Sequence, residues 1–124
     1  NVSFKNIVSH KDMHDKFKSA NRLYCYHANR KKWIKKDFDY NWVFSDTYQP
    51  QPGDFLDRKD GDGNPDNGDD GHAMMLVSWI AKEGRAIVLD GPWNINFRDI
   101  NVDKDESRSS GAKDYCIGRI PEND

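Results

Sequence analysis

The run His72-Ala73-Met74-Met75-Leu76-Val77-Ser78-Trp79, followed beyond Lys82-Glu83-Gly84 by Arg85-Ala86-Ile87-Val88-Leu89-Asp90, decides how this chain is read. Two largely apolar runs of strand length, joined by a short polar connection that contains glycine, read as a buried antiparallel hairpin. Antiparallel pairing returns the end of the second strand to the start of the first, so His72 and Asp90 are expected to be neighbours. A carboxylate beside an imidazole fixes the ring tautomer and leaves the other ring nitrogen to move a proton, which is the acid–base half of a hydrolytic site.

On the N-terminal side, Ser9 and Asp12 have capping-box spacing, and Met13, Phe17, Ala20, Tyr24 and Ala28 recur at helical intervals. Either Ser19 and Asn21 interrupt that stripe and cap a second helix from about Arg22 to Lys36, or the stripe is continuous; both readings put Cys25 on a helix. Helical period is lost after Asp37. Gln49-Pro50-Gln51-Pro52-Gly53-Asp54 then reads as a turn opening a strand at Phe55 and Leu56. The segment from Asp57 to Gly71 is too acidic and glycine-rich to build a core and is expected to be a solvated loop. Beyond the hairpin, a strand is expected through Ile95 to Val102, and a closing strand at Tyr115-Cys116-Ile117-Gly118-Arg119-Ile120 after the loop at Ser107 to Gly111.

The 124 residues fit one domain, residues 1–124, with enough aromatic side chains for a core. The N-terminus has neither an initiating Met nor signal-peptide features, which reads as a mature or excised segment of a longer chain. No apolar run approaches the ~20 residues of a membrane span. A net charge of −2 gives nucleic-acid binding no support. The cations Arg30, Lys31, Lys32, Lys35 and Lys36 read as a solvated helical face. Two cysteines without metal-ligand spacing give no zinc site, and no cofactor or metal is expected. Asp60, Asp62, Asn64 and Asp66 alternate as calcium ligands do, but Pro65 stands where an EF-hand needs glycine and no glutamate arrives at the twelfth position, so the loop is read as solvated rather than ion-binding.

Gly71-His72-Ala73-Met74-Met75-Leu76-Val77, followed by Val88-Leu89-Asp90-Gly91-Pro92-Trp93, resembles the His-to-Asn/Asp hairpin of papain-like peptidases and amidases. Pro52-Gly53-Asp54 is similar to the strand opening of the short NlpC-type relatives. The resemblance covers about Arg22 to Trp93 and is weaker at Cys25, whose neighbours Tyr24 and Tyr26 are not the small residues usual beside the family's nucleophile. It implies an α+β, papain-like fold, with N-terminal helices carrying the cysteine on a small antiparallel sheet. It further implies catalysis by Cys25 as nucleophile, His72 as base and Asp90 as the residue orienting the histidine. Small domains of this kind resemble secreted bacterial toxins and effectors that cleave peptide or peptidoglycan amides or deamidate glutamine, and that travel with a neutralising immunity protein.

Each residue has a plainer reading: Cys25 as core, His72 as an exposed strand start, Asp90 as a turn residue. Cys116 reads as core, His10 and His14 as surface, and His27 as facing away from Cys25 on a helix. A non-enzymatic calcium module and a small nuclease using His27 or His72 are the competing functions. A Cys25–Cys116 bridge would abolish the nucleophile, so reduced cysteines are a condition of the thiol route.

Overall fold

The computed structural model describes residues 10–59, 72–90, 96–107 and 114–119. Among these, helix α1 (His10–Ser19) is followed by strands β1 (Tyr24–His27), β2 (Lys32–Lys36), β3 (Trp42–Tyr48), β4 (Phe55–Lys59), β5 (His72–Ile80), β6 (Arg85–Asp90) and β7 (Asn96–Asn101). A one-turn helix, α2 (Val102–Glu106), and a last strand, β8 (Asp114–Gly118), complete the described chain. The strands form one sheet in the order β3-β2-β1-β8-β4-β5-β6-β7. Every pairing is antiparallel.

This corrects the expected α+β, papain-like arrangement: the molecule is mostly antiparallel sheet, and its cysteine is not on a helix. α1 does bury Met13 and Phe17 from the apolar stripe. It ends where Asn21 adopts the left-handed conformation, φ 62°, which asparagine tolerates better than most residues. The expected second helix is instead the β1–β2 hairpin, in which Tyr24, Cys25 and Tyr26 pair with Lys35, Ile34 and Trp33. Aromatic and β-branched side chains pack well across a pleated surface, and here that packing outweighs the helical spacing of Tyr24 and Ala28.

The sheet curls. Trp33 on β2 meets Trp79 on β5 with ring centroids 5.3 Å apart, although four strand-to-strand steps separate them. The concave face buries Leu56, Met74, Leu76, Ala86, Val88, Ile100, Tyr115 and Ile117 together with Tyr26 and Trp33. The convex face receives α1, whose Met13 and Phe17 pack with Leu23, Cys25 and Cys116. Gly118 permits this close approach, since a Cβ there would fall 2.5 Å from the Phe17 ring.

The turn before β4 is tied down by Asp54, fully buried, whose carboxylate accepts from the Tyr48 hydroxyl and the Gln51 N–H, both at 2.8 Å. Gly53 supplies the positive φ, 94°, that the turn requires. The expected acidic loop proves partly structured, because Asp57 lies within β4 and is buried. The alternating Asp60, Asp62, Asn64 and Asp66 lie outside the described residues.

Candidate functional site

β5 and β6 form the hairpin expected from the sequence, with Met75 opposite Leu89. Continuing that register sets Asp90 opposite Met74, one alternate position from His72 and on the same face, a diagonal that an imidazole and a carboxylate span. His72 Nε2 hydrogen-bonds Asp90 Oδ1. β7 adds a group the sequence reading missed: Arg98, paired with Val88, reaches diagonally to Asp90 Oδ2 at 2.5 Å. The Asp90 side chain is 9% exposed, whereas those of His72 and Arg98 are 34% and 48% exposed. The carboxylate is thus the buried centre of a relay whose histidine meets solvent.

Burial pushes the Asp90 carboxyl upward, but hydrogen bonds from Arg98 and His72 outweigh it and hold the group below the usual carboxylate range. An anionic Asp90 accepts from Nε2–H, which fixes the tautomer and leaves the Nδ1 lone pair as the site that can take a proton.

Cys25 is not part of this arrangement. It is bonded to Cys116 on the neighbouring strand β8. Its row across the sheet runs Cys25, Cys116, Asp57, Ala73, three strand spacings or roughly 14 Å to β5. His72 is the residue beside Ala73 and therefore points to the opposite face. Opening the bridge would not bring the sulfur to the ring, so the assignment of Cys25 as nucleophile is corrected to that of a structural half-cystine. The expected convergence of Cys25, His72 and Asp90 reduces to the last two.

Other expectations also shift. His14, read as surface, is 3% exposed, and its Nδ1 lies 3.1 Å from Asp57 Oδ2 beneath α1. The side chain of His10 lies outside the described residues. His27 shares a face with Cys25 because both lie on a strand, two residues apart. The basic run lies on the turn and second strand of the β1–β2 hairpin, where Lys31 pairs with Asp103 at 3.0 Å, Lys35 with Asp46 at 3.3 Å, and Arg30 lies over the Phe44 ring at 3.9 Å. Among the described residues no group of three or more His, Cys, Asp or Glu side chains could hold a metal ion, and no helix is long and apolar enough to cross a membrane.

No protein-family model, curated protein or solved structure matches the chain. The functional reading therefore rests on its own side chains. Arg98 could have been found from the sequence only by knowing the β6–β7 register, since nothing in Asn96-Phe97-Arg98-Asp99 marks which charge turns toward Asp90.

Proposed function

We propose that the protein is a secreted amide hydrolase whose acid–base element is the His72–Asp90 pair, acting on peptide or peptidoglycan amides. The observation that carries this reading is the hydrogen bond from His72 to a carboxylate that Arg98 holds from its other oxygen. Nδ1 of His72 takes a proton from a water molecule as its oxygen adds to the substrate carbonyl. The resulting imidazolium, stabilised by Asp90, returns that proton to the departing amine. One water is consumed, its hydroxyl going to the acid and its hydrogen to the amine. Glutamine deamidation is the same step with ammonia leaving. The Cys25–Cys116 bond supports secretion or delivery across a membrane, since such bonds persist in oxidising compartments.

The test is turnover of purified peptidoglycan, of peptides and of glutamine amides by the intact protein. His72→Ala should fall to background, and Asp90→Asn should lose about 10²–10⁴-fold, the usual worth of a positioned acid–base group. A folded protein lacking both cysteines should keep its turnover. Full activity in His72→Ala sinks the proposal, and loss confined to the cysteine variant would return the thiol to the mechanism.

A further inference from the structure

A second concave feature lies where the turn after β1 passes the end of α2. It is an open cleft of about 330 Å³, at the lower end of the sizes that hold small molecules. Trp42, Tyr26 and His27 supply aromatic walls, and Asn29, Glu106 and Ser107 supply polar groups. Neither Lys nor Arg is among its described lining residues: Arg30 and Lys31 of the adjoining turn lie against Phe44 and Asp103, while Lys36 Nζ lies 3.9 Å from the centre of the Trp42 ring.

The polar groups are arranged to serve a neutral ligand. His27 packs edge-on to Trp42, ring centroids 5.0 Å apart, and its Nδ1 accepts from the Arg30 N–H at 3.2 Å. In the neutral ring its Nε2 is then a donor. Glu106 Oε1 accepts from the Tyr115 N–H at 2.5 Å. Burial, reinforced by the nearby Asp114, Asp103 and Asp105 and opposed by that backbone bond, raises the Glu106 carboxyl to about 9. At neutral pH it therefore donates a hydrogen bond instead of presenting a charge.

An aromatic wall with several neutral donors and acceptors beside it matches the chemistry of a hydroxylated ring, which has apolar C–H faces and hydroxyls around its rim. We propose that this cleft binds a neutral saccharide, with one ring face against Trp42 and its hydroxyls hydrogen-bonded by Asn29, Glu106 and Ser107. The inference stands on the cleft alone and does not require the hydrolase reading. If both hold, the scissile amide belongs to a glycan-bearing substrate.

Titration of the intact protein with an N-acetylglucosamine tetramer, followed by calorimetry and tryptophan fluorescence, tests it. Saturable one-to-one binding is expected at millimolar saccharide or below. Trp42→Ala should weaken binding by about tenfold, the loss expected of one aromatic platform, with Trp42→Phe intermediate. Asn29→Ala, an exposed turn position that leaves packing alone, should also weaken it measurably. His72→Ala should bind unchanged, so failure of the hydrolase reading and failure of this one are separable. Absence of saturable binding by the unaltered protein, or equal binding by Trp42→Phe and Asn29→Ala, overturns the proposal.

Discussion

Glu106 stores a pH dependence in a single carboxyl. Its folded value of about 9 lies far above the ordinary 4.5, so the native state holds a proton that the unfolded chain releases. Its contribution to stability is complete below about pH 4.5 and declines as pH rises toward 9, at up to about 1.4 kcal/mol per pH unit. Urea midpoints at pH 5, 7 and 9 should fall along this series, and Glu106→Gln should flatten the fall; equal slopes for the two proteins would show that the carboxyl is not held neutral. Asp90 is displaced the other way, so the stability it contributes is present above the ordinary carboxylate range and is lost on acidification. At Gly118 the constraint is space: Gly118→Ala drives a methyl into the Phe17 ring and should cost about 1–3 kcal/mol by thermal or urea unfolding.

Among the elements, the β5–β6 hairpin was legible because two apolar runs of strand length flank a glycine turn, and pairing alone then sets His72 near Asp90. β1 was not legible. Its four residues are too few to display a period of two, while Tyr24 and Ala28 extend the helical spacing of Met13 and Phe17 by coincidence. That one misreading moved Cys25 from a strand beside Cys116 to a helix facing the histidine. The bridge joins positions 91 residues apart, a closure worth about 4–5 kcal/mol in the chain-entropy account. Reduction should lower the urea midpoint markedly and, on the proposed hydrolase reading, leave turnover per folded molecule unchanged. A matching loss of turnover at a temperature where the reduced protein remains folded would contradict the structural role of the bridge.

Across the whole molecule, the sheet separates a concave core from a convex face, and neighbouring residues of one strand fall on opposite sides of that division. Leu76 is 2% exposed inside the curl, whereas Met75 is 42% exposed outside it. Leu76→Ala should therefore cost about 2–5 kcal/mol, and Met75→Ala less than about 0.5 kcal/mol. Similar costs at the two positions would refute the curl. This division could not be read from the sequence, because it depends on which strands meet, and the decisive strand carries no marker of its place. β8 lies between β1 and β4 although it is the last described strand, so the two halves of the sheet have no shared edge until Asp114–Gly118 arrives. The strands from β1 to β7 must all be synthesised before the two halves can join, and contacts of such long range form slowly. The two cysteines consequently face each other only once that last strand is seated, so the bond between residues 25 and 116 seals a closure that the rest of the sheet has already waited for.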